Sequence, residues 1–257
     1  MKSTCLSAVL LAANLVFNLH AAEDTTAINT LTEAEKAAGW KLLFNGHDTT
    51  GWHNFKSDSI RPGWQIKDGV LTCAVKTNSG DIVTSEKFDW FELQLDYNIT
   101  PHGNSGIMIH VTDDGKKVFE TGPEFQLLDN PAYENAKPAA GAHHEAQLTG
   151  WLYQLYQPDI DPKTGKPIDA TKPAGEWNHV RLLITPEKCV HEVNGVKYLE
   201  YVYGSDDFKQ RAAKSKFAKF PFFGKSNIGY IAIQGDHGVC SFRNIKIRPI
   251  AAPDSAK

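Results

Sequence analysis

The sequence predicts an all-β protein, a β-sandwich of jelly-roll type with one short helix at its edge. Short runs in which apolar and polar residues alternate recur along most of the chain, separated by Gly, Pro, Asn and Asp. Some neighbouring runs are joined by two-residue turn signals, of which Asn194-Gly195 is a strong example. Helical periodicity is almost absent, and many short strands with little helix are typical of sandwiches and barrels.

The first 22 residues have the outline of a secretory signal peptide. Lys2 precedes an apolar run from Cys5 to Phe17, and small residues close the segment at Ala22. A helix that spans a bilayer needs about 20 apolar residues, so this run is too short to span one. The sequence therefore predicts removal of residues 1–22 and a soluble product that is periplasmic or secreted.

Charge and cysteine content narrow the function classes. The 257-residue chain has a formal net charge of −3, and removal of Lys2 with the signal peptide leaves −4, which gives no indication of nucleic-acid binding. The remaining cysteines are Cys73, Cys189 and Cys240, an odd number that allows one disulfide at most. The sequence is compatible both with three buried free thiols and with a single disulfide bridge. The sequence contains no C-x-x-C pair, the spacing that is typical of zinc sites.

One large domain contains the predicted strands, from about Trp40 to Ile250, between a leader at 23–39 and a tail at 251–257. The clearest strand covers residues 91–99, where every second side chain from Phe91 onward is apolar and the intervening ones are polar. The other predicted strands cover residues 40–44, 64–66, 70–74, 105–111, 124–128, 177–184, 189–193, 196–203, 228–234 and 239–247.

Two short helices are predicted outside the strands. In the leader, Thr32 is placed to cap a helix that ends at Ala38. Near the other end of the domain, Ser205 begins an amphipathic segment that stops before Pro221 and packs at the edge of the sandwich. The Lys and Arg residues of this 205–219 segment are interpreted as a solvated face.

Two consecutive strand runs carry the most chemically versatile side chains. In the first run, His110 is expected to share a face with Gly106; in the second, Glu124 and Gln126 share a face. A polar turn at 113–115 indicates that the two runs form a hairpin. We therefore expect His110 and Glu124 to lie on adjacent strands and to face the same side.

Further polar residues follow this hairpin or lie on other strands. His143 and His144 belong to a 129–149 loop that leaves the second run, and loops of this length tend to be functional or disordered. Gln234 and His237 lie in I-A-I-Q-G-D-H-G. Each histidine taken singly is more often structural. Together, polar side chains on strands built for burial indicate a concave, ligand-facing surface.

Short motifs occur in a fixed order from roughly Trp40 to Ile250. They include W-K-L-L-F-N-G-H-D-T-T-G-W, G-N-S-G-I, G-P-E-F-Q-L-L-D, G-E-W-N-H-V and I-A-I-Q-G-D-H-G. Their order resembles that of the 3-keto-disaccharide hydrolase family. The resemblance implies a concanavalin A-like lectin/glucanase jelly roll in an exported bacterial protein. It also implies cleavage of glycosides that have been oxidised to a ketone at sugar C3.

The implied reaction decides which residues are candidates. A C3 ketone acidifies the C2 proton, so a base can remove it; the C1 aglycone is then eliminated and water adds to the product. An acid for the leaving oxygen and a donor or cation for the enolate are also needed. The candidate acid and base are Glu124 and a histidine, with His110 ahead of His144 and His237. The candidate sugar-binding residues are Asn104, Ser105, Gln126, Asp129, Tyr153 and Gln234.

No cofactor is certain from the sequence. A divalent cation could stabilise the enolate, with ligands from Glu124, Asp129 or the His143/His144 loop. No dinucleotide-binding fingerprint is present, so we expect a separate sugar C3 oxidoreductase to make and later reduce the keto-sugar. The expected partners are that enzyme and a small carbohydrate substrate.

Two other functions stay open. Residues from Glu124 to Asp129 read E-x-Q-x-x-D, which resembles the E-x-D-x-x-E strand of jelly-roll β-glucanases. In retaining hydrolases of that kind two carboxyl groups lie about 5–5.5 Å apart. The other alternative is a sugar-binding module without catalysis, which needs aromatics and amides only. Trp151 and Tyr153 fit either sugar stacking or core packing.

Overall fold

The computed structural model describes residues 28–74, 78–134 and 148–251. In these residues the chain forms two antiparallel sheets that enclose one main hydrophobic core. The strands are β1 (Lys41–Leu42), β2 (Trp52–Asn54), β3 (Trp64–Lys67), β4 (Val70–Cys73), β5 (Ile82–Thr84), β6 (Phe91–Ile99), β7 (Asn104–Val111), β8 (Glu124–Leu128), β9 (Trp177–Ile184), β10 (Cys189–Val193), β11 (Val196–Tyr201), β12 (Tyr230–Ile233) and β13 (Cys240–Pro249). The helices are α1 (Glu33–Ala37), α2 (Asn130–Glu134) and α3 (Asp206–Lys214), with 3₁₀ turns at Val118–Glu120 and Lys216–Lys219. The predicted β-sandwich is confirmed.

The larger sheet has the strand order β11-β10-β9-β6-β13-β4-β3, with β1 paired to β13. Its central strand β6 alternates as the sequence predicts: Leu93, Leu95 and Tyr97 are buried in the core. On the opposite face, Glu92 accepts hydrogen bonds from the guanidinium groups of Arg181 and Arg248. The alternation places the apolar side chains between the two sheets because successive strand residues point to opposite faces.

The smaller sheet has the order β2-β5-β12-β7-β8. Ile82, Ile107, Phe125 and Ile233 come from four of its strands, and all of them are buried in the main core. Since residues alternate along each strand, their neighbours lie on the other face of the sheet. That outer face carries the site described below.

The two predicted helices are both present. Thr32 caps α1 in a reciprocal capping box with Glu35. Ser205 caps α3 by accepting a hydrogen bond from the Phe208 amide, and the Phe208 ring is buried against the sandwich. The chain then turns at Ser215 into the Lys216–Lys219 3₁₀ turn, which continues toward the outer face of the smaller sheet.

A bulge in β7 overturns the expected orientation of His110. Between the pairs Tyr230–Val111 and Ala232–Met108, three steps of β7 match only two of β12. His110 has φ of 52°, in the left-handed region, so its side chain turns to the core instead of following Met108. There the ring makes edge contacts with Phe91 and Tyr203, and its Nε2 lies 2.6 Å from the Asp89 carbonyl oxygen.

The three cysteines in the described part of the chain are buried free thiols, which resolves the question left open by their odd number. Among residues 28–74, 78–134 and 148–251, no helix has the length and apolar character needed to cross a membrane. The predicted signal peptide lies outside the described residues, so it stays a prediction.

Candidate active site

A cavity of about 200 Å³ opens on the outer face of the smaller sheet. Its floor comes from β7 and β8, and its walls come from the segments after β8, around the 216–219 turn and after β12. We call this cavity the Glu124 pocket. It is lined by Asn104, Phe119, Glu124, Gln126, Leu128, Tyr133, Tyr153, Lys216, Gln234 and His237.

The Glu124 side chain reaches the floor of the pocket for two reasons. Side chains alternate between the two faces along β8, and the neighbouring strand β7 leaves space for the carboxyl group. Phe125 points into the core, so Glu124 and Gln126 point outward. On β7, the residue opposite Gln126 is Gly106. A Cβ atom at Gly106 would lie 2.2 Å from the Glu124 Oε1 atom, so the glycine makes space for the carboxyl group. This explains the glycine of the N-S-G-I motif in steric terms.

The Glu124 carboxyl group is almost completely buried, with 5% of the residue exposed. Burial raises its pKa to about 8, because the charged form loses its hydration. The ammonium group of Lys216 acts in the opposite direction, and the negative charge of Asp81 raises the pKa further. A buried carboxyl group whose pKa lies near neutrality is a typical feature of acid–base sites.

Lys216 was missed by the sequence analysis, which placed the basic residues of the 205–219 segment on a solvated face. Lys216 is exposed, as a solvated face requires, but its Nζ atom also lies 4.1 Å from the centre of the Tyr153 ring, at the wall of the Glu124 pocket. Partial burial at that wall lowers the pKa of Lys216, and the Glu124 carboxylate opposes that shift. The sequence feature that could have identified Lys216 is Ser215. It ends α3, and its side chain caps the following turn by accepting a hydrogen bond from the Phe217 amide. Lys216 therefore leaves the periodicity of the helix.

Amide side chains occupy the end of the pocket next to Glu124. Gln126 donates from Nε2 to the Asn104 Oδ1 atom at 2.8 Å and to the Ser105 carbonyl oxygen at 3.1 Å. Gln234 is held by its backbone amide, which donates to the Gly106 carbonyl oxygen at 2.9 Å. Within the described part of the chain, the buried Oε1 atom of Gln234 has no hydrogen-bond partner. It is therefore an acceptor open to a ligand hydroxyl.

A second cavity, of about 380 Å³, adjoins the Glu124 pocket. Phe119, Gln234 and His237 line both cavities, so the two form one continuous groove across the sheet. His237 is exposed at this junction. Asp81 lies in the second cavity, which we call the Asp81 cavity.

A family model, the 3-keto-alpha-glucoside-1,2-lyase-like domain, matches residues 39–248 of this sequence. The chain belongs to that family. It is 30% identical over 240 residues to the 3-keto-disaccharide hydrolase of Bacteroides thetaiotaomicron, and the match covers 82% of this chain and 79% of that protein. The resemblance seen in the ordered motifs is thus confirmed, and the protein is an enzyme of a family of 3-keto-glycoside hydrolases and lyases.

Two solved structures from Parabacteroides distasonis, each of a candidate glycosyl hydrolase, share the fold. The first is 36% identical with a TM-score of 0.78, and the match covers 88% of this chain and 100% of that one. The second is 26% identical with a TM-score of 0.59, covering 82% and 99%. Both likenesses extend across nearly the whole sandwich.

The structure brings together most of the site residues that the sequence predicts. Those that line the Glu124 pocket are Asn104, Glu124, Gln126, Tyr153, Gln234 and His237. Trp151, in contrast, is buried with 2% of its surface exposed, so for this residue the core-packing alternative is correct. Tyr153 donates its backbone amide to the Glu124 carbonyl oxygen at 2.9 Å, which fixes its ring beside the carboxyl group.

Three predicted residues lie elsewhere in the fold. His110 is in the core because of the bulge in β7, where burial lowers its pKa to about 4. Ser105 faces the core side of its strand, and its hydroxyl donates to the Gln234 carbonyl oxygen at 2.9 Å. The Asp129 carboxylate accepts a hydrogen bond from the His102 amide at 2.9 Å, so it stabilises the turn before β7. None of the three lines the Glu124 pocket, and their contact with substrate stays a prediction.

His144 and its neighbour His143 lie outside the described residues, and their proposed roles stay predictions. Within residues 28–74, 78–134 and 148–251, no three His, Cys, Asp or Glu side chains are close enough to hold a metal ion together. One oxygen of Asp129, a ligand considered for a divalent cation, accepts a hydrogen bond from the His102 amide.

Proposed function

We propose that this enzyme cleaves 3-keto-glycosides and that Glu124 is the base that removes the C2 proton. The observation that carries the proposal is the buried Glu124 carboxyl group, whose pKa is raised to about 8, next to the Lys216 ammonium group. Family membership supports the substrate class. A base whose pKa lies close to the working pH combines strength with an adequate ionised fraction.

In the first step, the Glu124 carboxylate takes the C2 proton and the electron pair of that bond moves onto the C3 carbonyl oxygen. The enolate then expels the C1 oxygen substituent, which gives an enone with a C1–C2 double bond. Water adds at C1 and loses a proton, which balances the proton gained by the departing oxygen, and C2 regains a proton from the Glu124 carboxylic acid. The net reaction consumes one water and releases the keto-sugar and an alcohol.

The other pocket residues have roles that follow from their chemistry. The Lys216 ammonium group lies where it can stabilise the enolate oxygen, which is worth most in a site of low polarity. Asn104, Gln126 and Gln234 supply donors and acceptors for sugar hydroxyls. The ring of Tyr153 forms an amphipathic wall for the sugar.

The β-glucanase alternative finds less support. A retaining mechanism built on E-x-Q-x-x-D would need Asp129 beside Glu124 in the same pocket. Asp129 is instead hydrogen-bonded to the His102 amide and is absent from the residues that line the pocket. We further propose that the protein works after export, with the keto-sugar supplied by a separate C3 oxidoreductase.

The test compares a 3-keto-glucoside with the same glucoside before oxidation. We expect wild-type enzyme to cleave the keto form, and Glu124→Gln to lower kcat by about 10²- to 10⁴-fold. Gln126→Ala is the matched variant two residues away on the same face; it should chiefly raise KM, because it removes a positioning amide. Cleavage of the unoxidised glucoside at a similar rate, or near-normal turnover by Glu124→Gln, would refute the proposal.

A further inference from the structure

The Asp81 cavity continues the groove beyond the Glu124 pocket. Because Phe119, Gln234 and His237 line both cavities, a ligand bound over Glu124 has the Asp81 cavity directly beside it. Its walls are mainly polar and include Arg61, Lys116 and Lys117. A glycoside has two parts, the sugar that reacts and the group that leaves. The groove has a cavity for each.

The position of Asp81 follows from the register of the sheet. Ile82 of β5 pairs with Ile233 of β12, and both point into the core. The residues next to them, Asp81 and Gln234, therefore lie side by side on the outer face. The Gly235 amide donates to the Asp81 Oδ1 atom at 3.1 Å, which fixes the carboxyl group at the junction of the groove.

Asp236, the neighbouring acidic residue, uses its carboxylate to bind backbone amides. Asp236 accepts from the Ser79 amide with Oδ1 at 2.6 Å and from the Gly80 amide with Oδ2 at 2.8 Å. Both of its oxygens thus hold the loop before β5. Among the described residues, the Asp81 carboxyl group accepts a hydrogen bond only from the Gly235 amide, at Oδ1, which leaves Oδ2 for a ligand.

We propose that the Asp81 cavity binds the leaving group of the glycoside and that Asp81 donates a proton to the departing oxygen. This assignment rests on the proposed cleavage of 3-keto-glycosides. The polar walls favour a leaving group with several hydroxyls, such as a second sugar, over an apolar alcohol.

The proton balance of the step is complete. As the C1–O bond breaks, its electron pair goes to the leaving oxygen, and the Asp81 carboxylic acid transfers its proton to that oxygen. The resulting Asp81 carboxylate then removes a proton from the water that adds at C1, which restores the acid. Burial raises the pKa of Asp81, while the hydrogen bond from the Gly235 amide and the charge of His237 oppose this shift.

The experiment uses two substrates that differ in how much they need a proton. A 3-keto-disaccharide releases a sugar alkoxide that must be protonated, whereas a nitrophenyl 3-keto-glucoside releases a stable phenolate. We expect Asp81→Asn to lower the first-turnover rate of C1–O cleavage of the disaccharide by about 10²-fold or more, and to change the first-turnover release of nitrophenolate, which precedes water addition, by less than about 5-fold. Equal losses on both substrates, or no loss on either, would overturn the assignment.

Two controls separate this inference from the proposed function. Exchange of the C2 proton of the free keto-sugar in D₂O reports the Glu124 step alone; Asp81→Asn should retain it and Glu124→Gln should lose it. Asp236→Asn, one residue beyond Gly235, should leave the ratio of the two substrate rates at the wild-type value, because both oxygens of Asp236 bind backbone amides. If the wild-type enzyme cleaves neither keto-substrate, the proposed function fails, and the role of Asp81 fails with it.

Discussion

The two faces of the smaller sheet bury very different side chains. Toward the core, Ile107, Phe125 and Leu127 are each no more than 1% exposed and pack with apolar neighbours. Toward the pocket, Glu124 and Gln126 are 5% and 3% exposed, nearly as well buried. Burial of apolar area stabilises the fold, whereas burial of a carboxyl group costs free energy unless it stays protonated or paired. The core face therefore stabilises the fold, whereas the pocket face carries a buried acid that lowers stability when it ionises.

Substitutions at two adjacent residues of β8 should change the free energy of unfolding in opposite directions, and this is the largest effect that we expect. Phe125→Ala should lower the free energy of unfolding by about 3–5 kcal/mol, since it leaves a cavity in the core. Glu124→Gln should raise it at pH 8, by on the order of 1–4 kcal/mol, because the amide avoids the cost of ionising a buried acid. Urea unfolding of both variants measures the two values.

The sign for Glu124 follows from its folded pKa of about 8, above the ordinary value of 4.5. Between these values the folded state holds a proton that the unfolded state has released, so stability falls as pH rises. At pH 4 the stabilising effect of Glu124→Gln should therefore disappear. A Glu124→Gln protein less stable than wild type at pH 8 would contradict this account of the outer face.

Buried histidines on the core side should have the opposite pH dependence. Burial lowers the pKa of His191 to about 4 from its ordinary value of 6.5, and its Nδ1 atom lies 2.9 Å from the Gly150 carbonyl oxygen. The unfolded state binds a proton in this window and the folded state does not, so stability is lost as pH falls from 6.5 to 4.

His191→Gln should reduce that loss by on the order of 2–3 kcal/mol, because glutamine has no charge to gain. The measurement is the free energy of unfolding at several pH values between 4 and 7. An exposed histidine, His47, provides the matched control; His47→Gln should leave the slope unchanged. Equal slopes for wild type and His191→Gln would contradict the prediction.

The smallest expected effect concerns Lys216 on the pocket side. Its positive charge lowers the pKa of Glu124, so Lys216→Met should move the acidic limb of the kcat/KM profile to higher pH and reduce the rate about 10-fold at pH 7. Lys219→Met is the control, since Lys219 lies in the same turn but over the Phe220 ring. An unmoved limb in Lys216→Met would show that the charge does not act on Glu124.

The sequence predicted the sandwich and the Glu124–Gln126 face because both depend on strict strand alternation. It failed at His110 because one extra residue in β7 reverses the side-chain direction, and no Gly marks the left-handed position. Lys216 and Asp81 were missed for another reason. Lys216 depends on the turn after α3 packing at the Glu124 pocket, and Asp81 depends on the register between β5 and β12. Alternation within one strand carries no information about either contact.

The place of β13 in the larger sheet affects how the molecule reaches its native state. This strand covers Cys240–Pro249, yet it lies between β6 and β4, with β1 attached to it as well. Its partners are separated from it by well over a hundred residues of chain, which makes the topology one of high contact order and slow folding. Until residues 240–249 are available to pair, the edges of β4 and β6 that flank β13 in the native sheet have no partner strand. Nascent chains of this enzyme therefore expose sheet edges, and a chaperone that shields such edges would be expected to raise its yield.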